Sequence, residues 1–287
     1  MFQDFNQILQ EHNLLKKDNH ILLAVSGGVD SIVLFHLMQN IPETKRPKLS
    51  VAHVNHQLRP EADREEQFVK QLASRYRVPF YSFIWEKAAH PDSGIEEAAR
   101  NIRYSFFEQL MEQNKMNVLM TAHHQDDQVE TILMKLTRGS TLAQLMGIAF
   151  SQSFSEGELV RPLLGFSKQM LYDLAKEQQW EFIEDSTNFE LGYMRNRFRN
   201  EIIPLLRNEN QQFDQHVIQF ASDLEDLLEV SKTSIETAFN EVVRKKQDSW
   251  QIDRLKFSNL SAATQRMVLK TLLDHLYKNE KDLYKSN

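Results

Sequence analysis

Short apolar runs alternate with amphipathic stretches over about the first 206 residues. The apolar runs are HILLAV at 20–25, LSVAHV at 49–54, FYSFI at 80–84 and NVLMTA at 117–122. Stretches with helical spacing of apolar residues follow them at 30–40, 61–76, 95–113 and 126–136. Runs that are apolar almost throughout suit strands buried on both faces. The alternation therefore predicts an α/β fold with a doubly wound, mostly parallel sheet and helices on both sides.

The pattern changes from about Gln211. Apolar residues then recur at helical spacing alone, as in Phe220, Leu224, Leu227 and Leu228, and again in Val268, Leu269, Leu272, Leu273 and Leu276. WQID at 250–253 is a candidate for one short strand. We therefore predict an α/β catalytic domain over 1–207 and a second, all-helical domain over 208–287. Because the chain stops soon after an apolar helix, we expect this second domain to be truncated at its C-terminal side.

Composition narrows the class of protein. The 287 residues are 41% hydrophobic and 26% charged, as in ordinary soluble globular proteins. A formal net charge of -6 disfavours binding to nucleic acid through bulk positive charge, although a local basic patch remains open. The sequence contains no cysteine, which excludes thiolate metal sites and cysteine nucleophiles within it. The N-terminus lacks a signal-peptide pattern and the apolar runs are short, so we expect a cytoplasmic protein without a membrane partner.

The loop after the first predicted strand reads Ser26-Gly27-Gly28-Val29-Asp30-Ser31. A glycine loop between a strand and a helix N-terminus binds phosphate, because backbone N–H groups approach the anion closely and the helix dipole adds positive potential. Asp30 would repel phosphate, and Mg²⁺ held between its carboxylate and the phosphates would resolve that conflict. A tight turn with Asp30 as a capping residue is the alternative, but it does not require this many glycines and serines.

The same loop lacks both the Walker and the Rossmann spacing. It resembles the SGGxDS signature of the ATP-pyrophosphatase, or PP-loop, superfamily, whose fold is adenine nucleotide alpha hydrolase-like. In that superfamily the loop grips the pyrophosphate end of ATP, and AMP is transferred to a substrate. The resemblance implies that ATP is a substrate and is bound by Ser26, Gly27, Gly28, Val29, Asp30 and Ser31.

Two later segments carry further candidate chemistry. In IEEAARNIRY at 95–104, Arg100 and Arg103 share a helical face, which could be a solvated stripe or could bind a phosphate. In TAHHQDDQVET at 121–131, the acids share a helix face next to two histidines. They could hold Mg²⁺ or a cationic substrate group, and an acid-rich helix N-terminus is the structural alternative. The candidates in this segment are His123, His124, Asp127 and Glu130.

Taken in order, the motifs resemble the tRNA(Ile)-lysidine synthetase family over most of residues 18–207. Besides those above, they are HVNHQLRPEAD at 53–63, LTRGS at 136–140, RPLL at 161–164, EDSTN at 184–188 and RNRFRNEIIPLL at 195–206. One departure is Gln57, where the family often has glycine. The resemblance implies that free lysine is ligated to the wobble cytidine of a minor tRNA(Ile) with a CAU anticodon. ATP adenylates the base and releases pyrophosphate, and the lysine ε-amine then displaces AMP.

This chemistry suggests roles for the candidate residues, and for Asp127 and Glu130 the role is implied by the resemblance. Asp30 would hold Mg²⁺, Asp127 and Glu130 would hold lysine or the metal, and Arg100 or Arg103 would stabilise charge on the adenylate. An acidic protein that binds tRNA needs a local basic patch, since phosphate contacts supply most of the affinity. The basic stretch at 195–207 is our candidate, with a structural surface helix as the alternative. Its four arginines are Arg195, Arg197, Arg199 and Arg207.

Three other functions compete with this interpretation. A tRNA thiolase of the same superfamily uses cysteines that this sequence lacks. An amide-forming synthetase that uses ammonia would lack the HVNHQLRPEAD and RNRFRN motifs. A nucleotide-sensing module would bind ATP without releasing pyrophosphate, and it has no need for acids that face a second substrate. The sequence does not determine the oligomeric state, and a homodimer is one assembly compatible with it.

Overall fold

The computed structural model describes residues 1–58, 60–184, 194–246 and 249–285. It divides into two compact units, the first made of Met1–Ser140 and Gly147–Ile218, and the second of Thr141–Met146 and the chain from Gln219 onward. The boundary between the units lies inside a helix, between residues 218 and 219, whereas the sequence analysis placed it between residues 207 and 208. Arg59 and residues 185–188 of the EDSTN motif lie outside the described residues.

The first unit is built on a six-stranded sheet. Its strands are β1 (His20–Ala24), β2 (Lys48–Asn55), β3 (Phe80–Ile84), β4 (Val118–Met120), β5 (Ser151–Phe154) and β6 (Gly157–Val160). Their order is β3-β2-β1-β4-β6-β5, and all neighbours run parallel except the antiparallel β5–β6 pair. The predicted mostly parallel sheet is confirmed. The β5–β6 hairpin was not predicted, because two four-residue strands joined by a tight turn leave little periodicity to detect.

The helices of the first unit are α1 (Phe2–Glu11), α2 (Val29–Asn40), α3 (Ala62–Arg75), α4 (Ile95–Asn114), α5 (Gln125–Arg138), α7 (Lys168–Glu177), α8 (Met194–Arg197), α9 (Ile203–Glu209) and the start of α10 (Phe213–Val242), with α6 (Leu142–Leu145) assigned to the second unit. The predicted amphipathic stretches match α2 to α5, whereas α1 and α7 were not predicted. A short 3₁₀ turn lies at Lys87–Ala89, and a π-turn at Phe198–Ile202 links α8 to α9.

Both faces of the sheet are covered, which explains the nearly continuous apolar strands. On one face the strands pack with α4 through Leu22, Ala52, Leu119, Leu159, Phe107, Leu110 and Met111. On the other face they pack with α2 and α7 through Ile21, Leu23, Val51, Val118, Met120, Ile32, Phe35 and Leu171. Each fully buried Leu, Ile or Phe side chain contributes about 1.5–3 kcal/mol through the hydrophobic effect. The two cores therefore fix the ends of the strands rigidly.

The strand order creates a crevice between two neighbouring strands. The chain runs outward from β1 through β2 to β3, then returns to place β4 on the opposite side of β1. In open parallel sheets, ligands bind where the order reverses, outside the carboxyl ends of the two central strands. Here those ends lead into the glycine loop before α2 and into the histidine-acid segment before α5.

The second unit has its own small core. The C-terminal part of α10, α11 (Arg254–Ser258) and α12 (Ala262–Lys285) accompany a hairpin of β7 (Val243–Lys246) and β8 (Ser249–Ile252). Ala238, Phe239, Val242, Val268 and Leu272 are buried together. The predicted helical character is confirmed, but the unit is not all-helical. The hairpin contains the WQI of the suspected strand, and its Trp250 ring packs edge-on against Phe239 at 5.9 Å. Within the described residues, none of the helices combines the length and the apolar character that crossing a membrane requires.

Candidate functional site

The glycine loop is held in shape by the hydroxyl of Ser31. This hydroxyl accepts hydrogen bonds from the backbone N–H groups of Ser26 and Gly27, both at 3.2 Å, and donates to the carbonyl of Gly28 at 2.9 Å. Ser31 is buried, so its hydroxyl organises the loop instead of pointing at a ligand. Gly27 has a φ of +97°, a left-handed conformation that costs any L side chain free energy. Gly28 caps α2 without a side-chain hydrogen bond, which leaves the helix N-terminus suited to an anion.

A cavity of about 760 Å³ opens at this loop, entirely within the first unit. It brings together most of the predicted site residues, although they span the chain from 26 to 207. Those that line it are Ser26, Gly28, Val29, Asp30, Ser31, Arg103, His123, His124, Asp127, Glu130, Arg195, Arg199 and Arg207. Gly27, Arg100 and Arg197 are not among the described residues of the lining.

Asp30 is paired with a residue that the sequence analysis missed. The ammonium Nζ of Lys168 donates to Oδ1 of Asp30 at 2.7 Å and to Oδ2 at 2.6 Å. Lys168 is the first residue of α7, and its backbone N–H donates to Oδ2 of Asp126 at 2.8 Å. The nearby RPLL motif at 161–164 marks this region of the sequence, but nothing in the sequence pattern links Lys168 to a loop 138 residues earlier.

This pairing bears on the predicted magnesium site. Both carboxylate oxygens of Asp30 are engaged by an ammonium group. Across the part of the chain that the structure describes, no group of three or more His, Asp or Glu side chains is arranged to hold a metal ion. Mg²⁺ prefers several oxygen ligands in near-octahedral geometry. The residues present therefore do not fit a protein-bound Mg²⁺ at Asp30, and we assign no reaction step to one.

Two arginines of the basic stretch grip the two acids of α5. Arg195 donates from Nε to Oε2 of Glu130 at 2.7 Å and from Nη2 to Oδ1 of Asp127 at 2.9 Å. Arg199 donates from Nε to Oε1 of Glu130 at 2.5 Å and from Nη2 to Oε2 of Glu130 at 3.0 Å. Glu130 is 1% exposed, so these arginines supply the partners that a buried carboxylate needs. Burial opposes ionisation of Asp127, but His124 and Arg195 lower its pKa below the usual aspartate value.

The helix that carries these arginines is irregular at this point. A π-turn at Phe198–Ile202 separates α8 from α9. Pro204 follows directly, and it lacks the N–H that a regular helix would direct at the carbonyl of Asn200. Arg195 and Arg199 lie on either side of the α8–π junction, four residues apart, and both still reach Glu130. π-turns of this kind frequently occur at functional sites.

The two adjacent histidines have pKa values shifted in opposite directions. Burial lowers the pKa of His123 to about 4, so its ring is neutral near pH 7. Burial also opposes protonation of His124, but surrounding carboxylates outweigh it and raise the pKa. Its Nε2 lies 3.5 Å from Oδ2 of Asp127 and 3.7 Å from Oδ2 of Asp30, and its Nδ1 lies 3.6 Å from Asp126, just beyond hydrogen-bond length. The sequence alone could not separate these two residues.

Arg207 closes the cluster on the α9 side. Its Nη2 donates to Oδ1 of Asp126 at 2.6 Å and to Oδ2 of Asp214 at 2.7 Å. Together with Lys168, Arg195 and Arg199, it makes four cations that pair with carboxylates of the cavity lining. These carboxylates belong to Asp30, Asp126, Asp127 and Glu130. Three of the four arginines that were predicted to contact tRNA therefore lie in ion pairs inside the cavity, whereas Arg197 is exposed outside it.

Arg100 and Arg103 of α4 differ in their position relative to the cavity. Arg103 lines the cavity, and Arg100 is exposed outside the lining. Both guanidinium groups lie over the ring of Tyr104, at 4.9 Å for Arg100 and 5.8 Å for Arg103. Burial lowers the pKa of Arg103, and Arg100 and Arg195 act in the same direction. Among the described residues, no carboxylate forms an ion pair with Arg103, so this part of the cavity favours an anion.

Comparisons with known proteins show the family to which this chain belongs. The family model described as a PP-loop domain matches residues 1–206. The tRNA(Ile)-lysidine synthase of Lactiplantibacillus plantarum is 42% identical over 84% of this chain and 54% of its own length. That of Enterococcus faecalis is 38% identical over 94% of this chain and 58% of its own length. The chain thus spans about half the length of the curated relatives it matches.

The fold resembles that of the U34-tRNA thiolase NcsA from Methanococcus maripaludis with its [4Fe-4S] cluster, with a TM-score of 0.63 and 15% sequence identity over 78% of each chain. At this identity the likeness concerns the fold alone. It supports the sheet architecture.

Proposed function

Because the chain belongs to the PP-loop domain family, which its residues 1–206 match, we propose that it acts as an AMP-forming ligase that joins free lysine to the wobble cytidine of a tRNA(Ile) with a CAU anticodon. One observation carries the proposal: a phosphate-binding loop and a paired acid-arginine cluster open into the same cavity. The names of the relatives that are 38–42% identical support the choice of tRNA and of lysine.

The first step needs the pyrophosphate end of ATP to be held while its α-phosphorus reacts. The cytidine carbonyl oxygen forms a bond to that phosphorus, the bond to the bridging oxygen breaks, and its electron pair leaves with pyrophosphate. The loop presents the N-terminus of α2 to the departing phosphates, because the first N–H groups of a helix have no partners within it. Arg103, which lines the same cavity, is placed to stabilise charge on the adenylate. Mg²⁺ enters in our proposal as the counter-ion of ATP, bound by phosphate oxygens.

The second step needs a site for the amino-acid end of lysine. Free lysine carries an α-ammonium and an α-carboxylate side by side. The carboxylates of Asp127 and Glu130 on α5 lie next to the guanidinium groups of Arg195 and Arg199. The carboxylates are partners for the α-ammonium of lysine, and the guanidinium groups are partners for its α-carboxylate. The ε-amine is then free to attack the activated ring carbon. As the carbon–nitrogen bond forms and the carbon–oxygen bond to AMP breaks, the amine loses a proton. The neutral ring of His123, which lines the same cavity, is the candidate acceptor.

Contacts with tRNA are assigned differently from the sequence-based expectation. Arg195, Arg199 and Arg207 already face carboxylates in the cavity. Arg197, exposed on the same helical segment, is the better candidate for a phosphate of the tRNA backbone. We place the reaction in the cytoplasm, where its substrates occur, and a homodimer stays a prediction that analytical ultracentrifugation would test.

The decisive assay incubates the protein with Mg-ATP, labelled lysine and unmodified tRNA(Ile), and measures label in the tRNA. We expect label to appear together with equimolar AMP and pyrophosphate. Release of pyrophosphate with ammonia in place of lysine, and without label, would favour an amide-forming synthetase. Binding of ATP with no pyrophosphate under any condition would favour a nucleotide sensor. Since the chain spans about half of its relatives' length, the assay uses a saturating tRNA concentration.

A further inference from the structure

We propose that Lys168 is a phosphate-binding residue that shields the nucleotide from Asp30. The inference rests on the proposed ATP chemistry but names a residue outside every motif that the sequence analysis used for it. The PP-loop places an acid where a polyanion is to bind, and that conflict needs a cation. In this structure the cation next to Asp30 belongs to the chain itself: the ammonium of Lys168, 2.6 and 2.7 Å from the two carboxylate oxygens.

The ammonium group has donor capacity to spare. An ammonium carries three N–H donors, and two of them are used by Asp30. Among the described residues, Nζ forms no other hydrogen bond. The Lys168 side chain is 44% exposed and lines the cavity beside Ser26, Gly28 and Val29. The third donor can therefore reach a phosphate oxygen held by the loop while the other two stay on Asp30.

Hydrogen bonds fix the position of the backbone around Lys168. Ser167 caps α7 through a hydrogen bond from the N–H of Met170, and the N–H of Lys168 donates to Asp126. Just before it, the carbonyl of Phe166 accepts a hydrogen bond from the N–H of Gln125, the first residue of α5. The start of α7 is thus tied to the start of α5. An ion pair this exposed contributes little to stability, so the structural support around it points to a role with ligand.

During adenylation the role is electrostatic. When the bond between the α-phosphorus and the bridging oxygen breaks, the departing pyrophosphate gains the electron pair and an additional negative charge. An ammonium shared between Asp30 and the departing phosphates stabilises that charge, and it prevents Asp30 from repelling it. Lys168 is therefore expected to matter for nucleotide binding and for pyrophosphate release, and not for the later attack by lysine.

The test is a double-mutant cycle on binding of a non-hydrolysable ATP analogue, measured by calorimetry without tRNA or amino acid. We expect Lys168→Met to weaken binding roughly 10- to 100-fold, since it removes an attraction and exposes a repulsion. In an Asp30→Asn background, the same substitution is expected to weaken binding clearly less, because the repulsion is already absent. Lys168→Arg, which keeps the charge, should retain most of the affinity. Lys70→Met, a change at an exposed lysine of α3, serves as the matched control.

Two results would overturn the proposal. One is analogue binding by Lys168→Met equal to that of the unaltered protein. The other is an equal loss in both backgrounds, which would show that Lys168 and Asp30 act independently. Thermal unfolding of each variant identifies misfolded protein, and Lys168→Arg keeps the test valid if Lys168→Met does not fold. Because no tRNA or lysine is present, failure of the lysine-ligating function leaves this measurement unaffected.

Discussion

Arg195 and Glu130 lie 65 residues apart in the chain, yet Nε of the arginine donates to Oε2 of the glutamate at 2.7 Å. The glutamate is almost fully buried and receives Arg199 on its other oxygen. A carboxylate at this depth is tolerated because two guanidinium groups compensate it. The pair therefore couples a residue expected to bind tRNA to a residue expected to bind lysine.

This relationship predicts that Arg195→Ala impairs lysine binding. The substitution leaves Glu130 and Asp127 with Arg199 as their remaining arginine and removes one of the two guanidinium groups offered to the lysine carboxylate. We expect the KM for lysine to rise about tenfold or more, as for loss of a charge-assisted hydrogen bond. Affinity for the ATP analogue should stay unchanged. Lysine-dependent labelling of tRNA at varied lysine concentration measures the effect.

Arg197→Ala is the matched control, two residues further along and exposed. It should leave the KM for lysine unchanged, weaken tRNA binding, and reduce the slope of log affinity against log salt by about one phosphate contact. Filter binding at several salt concentrations provides the measurement. If Arg195→Ala altered tRNA affinity while the KM for lysine stayed constant, our assignment of the two arginines would be reversed.

The two arginines of α4 should differ as well. Arg103 lines the cavity without a carboxylate partner among the described residues, whereas Arg100 is exposed outside the lining. We expect Arg103→Ala to lower the rate of tRNA-dependent pyrophosphate release roughly 10- to 100-fold. Arg100→Ala should stay within about twofold of the unaltered rate. Comparable losses in both variants would contradict the separation that the cavity suggests.

Backbone strain in the glycine loop gives another test. A Cβ on Gly27 would meet Val69 at an ordinary 3.5 Å, so the cost of Gly27→Ala comes from its φ of +97° and not from a clash. We expect a loss of about 1–2 kcal/mol in unfolding free energy, together with weaker binding of the ATP analogue because the loop amides shift.

Gly139→Ala is the corresponding control. Gly139 ends α5 with a φ of +77° and open space around the added methyl. The unfolding free energy of the Gly139→Ala variant should fall by a similar amount, and the variant should still bind the ATP analogue. Urea denaturation and calorimetry on both variants separate strain from ligand binding. Equal losses of binding would mean that the loop conformation at Gly27 has no special role.

His124 should make stability depend on pH in a defined direction. Burial opposes its charge, but the nearby acids raise its folded-state pKa above the ordinary 6.5. A raised folded pKa adds stability that is fully present below 6.5 and is lost as the pH rises through the folded value. The difference in unfolding free energy between the unaltered protein and His124→Gln should therefore be largest in mild acid and shrink with rising pH. A constant difference across that range would contradict the charged ring.

Much of the architecture could be predicted because it depends on local pattern. The strands β1 and β4, which contain Leu22 and Leu119, are packed against apolar side chains on both faces of the sheet. This burial gives continuous apolar runs in the sequence. The glycine loop and the segment at His123 follow such runs directly, so their meeting at one edge of the sheet follows from parallel strand geometry. The short β5–β6 hairpin was missed because four residues cannot establish a period, and of the β7–β8 hairpin the sequence indicated β8 alone.

The pairing of charges could not be predicted, because it depends on distances between remote parts of the chain. Arg195 and Arg199 form a basic stretch in the sequence, and isolated basic stretches are usually solvent-exposed. Only the packing of α8 and the π-turn near α5 turns them toward Glu130. Lys168 is a single lysine at the start of a helix, and no local signal distinguishes it from Lys176 on the same helix.

The distances between paired residues have a consequence for synthesis on the ribosome. Asp30 emerges 138 residues before Lys168, and Asp126 emerges 81 residues before Arg207. A nascent chain therefore exposes its acids long before the bases that neutralise them have been translated. The sheet can begin to form around β1 and β2 early, but a polypeptide released before residue 168 would carry these acids without Lys168 and without the arginines that pair with them. Premature termination in this region would thus leave the acids next to the glycine loop without the ion pairs that compensate their charge.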